Sequence, residues 1–390
     1  MDYELSARER AWRDEVLEFI AEHVDEELAA ESRSRGNEGR GPRAQRFLQA
    51  LKDRGWWGLA WPEEFGGLGK TAIEQWIFID EIETAGAPML PLTVTSVAPT
   101  IMRIGSEVQK REWLPRITAG EIDFALGYSE PEAGTDLASL RTRAVLDGDE
   151  WVINGQKMWN TMAHTATHNW LAVRTEPEAP KHKGISMMIV PMDAPGVSVQ
   201  GIWVWPGLRT NALFLDNVRV PRDHLIGERG MGFYYAAMAL NFERLSIGSI
   251  GMARRHFRAF VATVRERVVD GRPLREDPWV RERLARLQVE IDAARMLGFE
   301  TAWTLDQGRM PAAESSMAKI YVSELSQRIA DTGCEILGLN GQLHAEDPGA
   351  LASGRMQWLY RIAPMLAFGG GTNEVQRDII GFMGYGLPRK

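Results

Sequence analysis

GYSEPEAGTDLASLRTRAVLDGDEWVINGQKMWNT, residues 127–161, is the stretch on which the reading of this chain turns. Its first part, Tyr128 to Asp136, is a polar loop rich in turn residues that follows the apolar Phe124-Ala125-Leu126. Its second part, Trp151 to Trp159, sets an Asn154-Gly155 pair between two short β-prone runs, the strongest short-range hairpin signal a sequence offers. The residues are compatible with a hydroxyl-bearing loop and a Trp-bearing strand forming two lips of one pocket. The plainer alternative is an antiparallel sheet with an ordinary loop.

On the N-terminal side the period is helical. Leu5, Trp12, Val16, Phe19, Ile20, Val24 and Leu28 recur at helix spacing, and Ser6 with Glu9 three residues on makes a capping box. Residues 31–43 (ESRSRGNEGRGPR) carry no apolar anchors and read as an exposed loop. Helices are predicted again over 44–54, 71–86, 94–104 and 109–120, the last ending at the C-capping Gly120. From Glu121 short apolar runs alternate with turn signals: Val152-Ile153, Trp170–Val173, Ile185–Val190, Val197–Trp203 and Ala212–Leu215. Glu176–Gly184 reads as a polar insertion, and Trp203-Val204-Trp205-Pro206-Gly207 as an aromatic knot for sheet packing, a pocket wall or a subunit contact. Beyond Gly232 helical spacing returns over 233–269, 278–307, 312–338 and 357–366. The expected class is α+β and multi-domain: an N-terminal helical domain (1–120), a middle antiparallel β-barrel-like domain (121–230) and a C-terminal four-helix bundle (231–390).

The 390 residues are enough for two or three domains, and 44% hydrophobic with 25% charged residues is the composition of a soluble globular protein. A net charge of −8 implies no basic face for nucleic acid. The single cysteine, Cys334, rules out an intrachain disulfide and suits a cytoplasmic protein. No apolar run reaches the ~18 residues of a membrane span, the first residues carry no signal-peptide pattern, and no metal site is expected.

Glu130-Pro131-Glu132-Ala133-Gly134-Thr135-Asp136, followed by the NGQKMW strand, resembles the middle-domain signature of the acyl-CoA dehydrogenase family. The likeness spans nearly the whole chain. Ala7–Arg10, Trp61–Gly67, Asn241–Arg244 and Gly370–Arg377 fall in the family's order. The tail FGGGTNEVQRDII and the run SVAPTIM look most like actinobacterial dehydrogenases that act on steroid side-chain CoA thioesters. The resemblance implies α,β-desaturation of an acyl-CoA thioester, with a bulky, branched or steroid side-chain acyl group, FAD as hydride acceptor and an electron-transferring flavoprotein as the next acceptor.

It also implies site residues. Many family members carry the catalytic base as a Glu directly before the Gly-Thr of the C-terminal motif; here that position is Gly370. A minority carry it on the helix that opens the C-terminal bundle, which points to Glu243, followed by Arg244. The family register sets Ser129 as a hydroxyl donor to the isoalloxazine, Leu126 and Tyr128 as backbone contacts, Trp159 as the flanking aromatic and Thr161 as the hydroxyl near N5. Thr372 and Glu374 match contacts to the ribityl and diphosphate end. Thr135, Asn241 and Arg244 match the substrate side. Asn160 stands where an aliphatic residue is usual.

In homotetrameric members the ADP half of each FAD is held by a neighbouring subunit, through an Arg-x-x-Phe pair and a Gln-x-x-Gly-Gly loop. Here Arg267 is kept, but Asp270 stands for the Phe, Glu335 for the Gln and Leu339 for the second Gly. The reading favours a heterotetramer (α2β2) with a paralogous subunit over a homotetramer. The rival functions are an acyl-CoA oxidase or other flavin oxidation on the same fold, and a non-catalytic subunit of a heteromeric dehydrogenase.

Overall fold

A computed structural model describes residues 3–35, 40–205 and 207–388, apart from the side chains of 32–35, Asn241, Phe242, Arg244 and Ile247. The early helices are α1 (Ala7–His23), α2 (Glu26–Arg35), α3 (Pro42–Asp53), α4 (Ala72–Ala85), α5 (Ala98–Ile104) and α6 (Glu107–Ala119). The strands follow as β1 (Phe124–Gly127), β2 (Arg143–Asp147), β3 (Glu150–Lys157), β4 (His168–Arg174), β5 (Ile185–Pro191), β6 (Val197–Trp203), β7 (Arg209–Pro221) and β8 (Leu225–Ile226). Then come α7 (Gly232–Phe242), α8 (Arg244–Ile247), α9 (Gly251–Glu266), the hairpin strands β9 (Val268–Val269) and β10 (Arg272–Pro273), α10 (Pro278–Asp306), α11 (Ala312–Leu337), α12 (Arg355–Leu366) and α13 (Asn373–Ile379). The architecture is therefore helical, then β, then helical. Two compact units emerge: Met1–Ala29 with Lys70–Met89 and Arg244–Lys390, and Ala30–Gly69 with Leu90–Glu243.

The second unit is built on one sheet, in the order β6-β7-β3-β2-β4-β5-β8, with β1 joined in parallel to β4. Its central strands are buried on both faces. Trp170 and Ala172 of β4, with Met187 and Ile189 of β5, face a core that includes Val97, Ile101, Trp113 and Ile117. The alternate residues Leu171, Val173, Met188 and Val190 face a second core with Trp151, Ile153, Leu213 and Val218. A strand covered on both sides reads as a continuous apolar run, which is why β4 and β5 are legible in the sequence.

The first unit packs α1 and α4 with the helices α9 to α12. Its long helices bury Phe257, Phe260, Leu287, Ile291, Leu325, Ile329, Met356 and Leu359. Asp306, the last residue of α10, accepts from the Ala72 and Ile73 amides at 2.6 and 3.1 Å and so satisfies free donors at the start of α4. Asp80 of α4, 2% exposed, is paired with Arg254 of α9 and Arg295 of α10.

Several expectations are met in detail: the Ser6/Glu9 capping box of α1, and the left-handed Gly120 closing α6; α4 likewise ends at a left-handed glycine, Gly86. Others are corrected. The loop predicted over 31–43 is helical through Arg35, because α2 restarts the chain after a break at Val24-Asp25. The helix predicted over 233–269 is interrupted, with Glu243 at the break between α7 and α8. Asn154-Gly155 does not turn a hairpin. Both lie inside β3, and the β2–β3 turn falls at Gly148-Asp149. Gly155 (φ +151°) marks a shift in the β3–β7 register, and a Cβ there would lie 2.6 Å from Thr142 Oγ1. A glycine inside a strand serves close approach as often as a turn.

Candidate functional site

Within the second unit the two halves of residues 127–161 do meet. The Met158 amide donates to Ser129 O at 2.9 Å, so the loop that follows β1 is tied to the end of β3. A buried ion pair locks the same junction. Lys157, fully buried, donates to Glu130 Oε1 at 2.8 Å and to Tyr128 O at 3.1 Å. Glu130 also accepts from the Arg141 and Thr142 amides at 2.6 and 2.8 Å. Burial works against its charge, but Lys157 and these donors outweigh it and hold the carboxyl below its usual range. Burial lowers Lys157 to about 8. Neither residue of this pair is among the sequence candidates. The only local signal was a lysine at an inward position of a strand, with no mark of which residue it would meet.

The chain leaves β3 through Trp159, held at φ +64°, with its indole about half exposed. Ser129 is half-buried, and Thr161 and Thr135 are exposed. Leu126 lies on β1 opposite Trp170 of β4 in the register, and Tyr128 follows just after the strand. Asn160, between Trp159 and Thr161, is buried in a polar cluster. Its amide donates to Asn211 O at 2.9 Å, Asn211 Nδ2 returns a bond to Asn160 O at 2.8 Å, and Asn169 Nδ2 donates to Asn160 Oδ1 at 3.2 Å. An aliphatic side chain could make none of the side-chain bonds, which accounts for asparagine at this position.

Glu243 also belongs to this unit. It is 8% exposed, burial raises its carboxyl above the ordinary value, and its Oε1 is buried without a hydrogen bond. The Ser96 hydroxyl lies beside the carboxyl and partly offsets that rise. The side chains of Asn241 and Arg244, the other candidates of this segment, lie outside those described.

The first unit holds the remaining candidates. Thr372 caps α13, accepting from the Val375 amide at 3.2 Å, and Glu374 is exposed. The Gly-rich loop before Thr372 is anchored by Lys319, 3% exposed, which donates to Ala367 O, Gly371 O and Asn373 Oδ1 at 3.0, 2.8 and 2.8 Å. Gly370 and Gly371 have φ of +68° and +99°. Arg267 closes α9, and the β9–β10 hairpin that follows turns on Asp270-Gly271 with both φ positive, at +49° and +78°. Asp270 is thus a hairpin-turn residue rather than an aromatic wall. Glu335 faces Arg283 at 3.9 Å, and Leu339 is 82% exposed.

The chain matches three family models in order: the N-terminal domain of acyl-CoA dehydrogenase over residues 6–121, the middle domain over 125–218 and the C-terminal domain over 230–382. It is 42% identical to acyl-CoA dehydrogenase FadE26 of Mycobacterium tuberculosis over 95% of this chain and 94% of that one. Among solved structures it is similar to the ChsE4-ChsE5 complex of Mycobacterium tuberculosis, at 39% identity and a TM-score of 0.91 over the whole of both chains. It is equally similar to the Tcur3481-Tcur3483 steroid ACAD, at 39% identity and a TM-score of 0.90, again over the whole of both chains. The protein belongs to the acyl-CoA dehydrogenase family. It is an FAD-dependent oxidoreductase.

The residues fit that cofactor. A half-exposed indole on a left-handed backbone, with Thr161 close behind it in the chain and Ser129 tied to the adjoining Met158 amide, is a face suited to a planar ring bearing hydrogen-bonding groups. Among the described residues no helix is long and apolar enough to cross a membrane.

Proposed function

We propose that this chain desaturates a bulky acyl-CoA thioester between its α and β carbons, with Glu243 as the base. The acyl group is a steroid side chain, a reading supported by the likeness to the steroid ACAD. The observation that carries the assignment is the Glu243 carboxyl itself: buried, raised by that burial toward working pH, and with one oxygen unpaired. A carboxylate in this state is poised to take a proton from carbon. Gly370, the other position for a base in the family, has no side chain.

FAD, when bound, accepts the hydride from the β carbon. Trp159 would cover the ring, and Ser129, Thr161 and the backbone at Leu126 and Tyr128 would bond its polar edge. Thr372 and Glu374 would meet the ribityl and diphosphate end, and Thr135, Asn241 and Arg244 the thioester arm. Glu243 takes the α proton onto its carboxylate as the C–H bond breaks.

The chain works as one half of a heteromer in the cytoplasm, and passes electrons to an electron-transferring flavoprotein. Asp270 in a tight turn, Glu335 and the exposed Leu339 are poor contacts for an ADP moiety, since two add negative charge near a diphosphate and one blocks close backbone approach. A paralogous subunit supplies that half.

Two measurements test this. Glu243→Gln should keep its fold and lose flavin reduction by a steroid side-chain CoA thioester, by a factor of ~10² or more; reduction near the wild-type rate overturns the assignment. Purified alone the chain should be colourless, gaining FAD and a tetrameric mass only with its paralogue. A yellow homotetramer overturns the heteromer.

A further inference from the structure

Where β3 ends, its pairing with β7 gains a residue. Lys157 stands opposite Leu213 in the register, and the Met158 amide turns away to Ser129 O. The pairing resumes at the Asn160 amide, which donates to Asn211 O at 2.9 Å. Met158 and Trp159 therefore face Ala212 alone, a bulge of two residues against one. A strand that continued without the bulge would set Trp159 opposite Asn211, on the same face as the fully buried Lys157 side chain. With the bulge Trp159 is instead 52% exposed. Its φ of +64° is a conformation that a bulky side chain seldom adopts, and such strain persists only where the surroundings over-determine it.

Here side-chain amides do that work. Two residues in an ordinary antiparallel pair exchange two backbone bonds. Asn211 O accepts from the Asn160 amide, but the return bond to Asn160 O comes from the Asn211 side chain, through Nδ2 at 2.8 Å. The Asn211 main chain is meanwhile paired with Gly201 of β6. The partners settle which way the Asn211 amide points. Arg209 Nε, which can only donate, meets Oδ1 at 3.1 Å, and the Asn160 carbonyl, which can only accept, meets Nδ2. Asn160 Nδ2 reaches across the strained residue to Met158 O at 3.3 Å, and Asn169 Nδ2 of β4 holds Asn160 Oδ1 at 3.2 Å. Asn160, Asn169 and Asn211 are all buried, so the projecting indole stands on a base of bonded amides.

We propose that Asn211, set by Arg209, is a positioning residue for FAD: by closing the bulge it turns the Trp159 indole out of the sheet and fixes the plane against which the isoalloxazine lies. The inference rests on the reading of Trp159 as the aromatic that covers the ring. It assigns a task to two β7 residues, Arg209 and Asn211, that stand outside the cofactor contacts implied by the family register.

Asn211→Leu removes the amide donor and acceptor at nearly constant volume. In the assembled holoenzyme it should weaken FAD binding about tenfold and change the visible circular dichroism of the bound flavin, which reports the surroundings of the ring. Arg209→Met, at a half-buried position, frees the Asn211 amide without removing it, and should act in the same direction by about threefold. It carries the test where Asn211→Leu does not assemble. Trp159→Ala should weaken FAD binding about tenfold or more, and adding Asn211→Leu to it should cost no further affinity, because no indole is left to aim. An asparagine with a merely structural role would lower the unfolding midpoint and leave FAD affinity and flavin dichroism at wild-type values. That result, with Trp159→Ala weakened, overturns this proposal and leaves Trp159 as the cover of the ring; so do fully additive losses in the double variant. Wild-type FAD affinity in Trp159→Ala overturns both readings.

Discussion

Lys157 Nζ lies 2.8 Å from Glu130 Oε1, in a pair where the lysine is fully buried and the glutamate nearly so. The bond joins the last residue of β3 to the loop after β1, and so fixes Ser129 and Trp159 relative to each other. Replacing one partner leaves an uncompensated buried charge, which costs about 3–5 kcal/mol. Lys157→Met should therefore destabilise the protein by that amount in urea unfolding and lower its flavin content. The double variant Glu130→Gln/Lys157→Met should recover part of the stability, since neither charge is then stranded; additive losses in the double-mutant cycle would show that the pair is not coupled. The acid side has a definite sign. Glu130 is held below its unfolded value, so its stabilising contribution is present above the ordinary carboxylate pKa of about 4.5 and fades as pH falls through the lower folded value.

What the sequence makes legible here is local or periodic. Ser6 with Glu9, and Gly120, announce helix ends because the cap is made within four residues. β4 and β5 show as apolar runs because both faces are covered. Asn154-Gly155 misleads, because its glycine answers a neighbour twelve or more residues away in Thr142, which local spacing does not encode. The break at Glu243 is hidden for a related reason: apolar spacing continues across it. On the site, Glu243, Ser129, Trp159 and Thr161 are named by the family resemblance; taken one by one, their residue types do not single them out. The buried polar partners, Glu130 with Lys157 and Asn160 with Asn169 and Asn211, arise from pairings between distant strands and loops. A single sequence carries no mark of which polar residues will meet.

Gly370 offers a test of why the base stands at Glu243. Its φ of +68°, with +99° at Gly371, is a backbone that glycine adopts freely and a glutamate adopts at a cost of about 1–2 kcal/mol. Adding Gly370→Glu to the Glu243→Gln variant should thus not restore flavin reduction, and should lower the unfolding midpoint further. Stopped-flow bleaching of the flavin and a thermal melt check both halves. Recovery of the rate would mean that the loop tolerates a base in the family's other position.

Lys319 is the anchor of that loop, and its removal should be felt at the cofactor. Its ammonium donates to Ala367 O, Gly371 O and Asn373 Oδ1, and Asn373 in turn bonds Ser323 Oγ at 3.0 Å. Lys319→Met keeps the stem but leaves these acceptors without their donor, a loss of about 2 kcal/mol or more. The Thr372 cap follows directly after the freed segment, so FAD retention by the complex with the paralogous subunit should fall on gel filtration together with stability. A melt that drops while FAD retention stays at the wild-type level would separate Thr372 and Glu374 from cofactor binding. The pH dependence is specific. Burial lowers Lys319 from its ordinary 10.5 to about 8, so the unfolded chain binds the extra proton between those values. This group's titration therefore makes stability rise with pH from about 8 to 10.5, and the wild type should show that component where Lys319→Met does not.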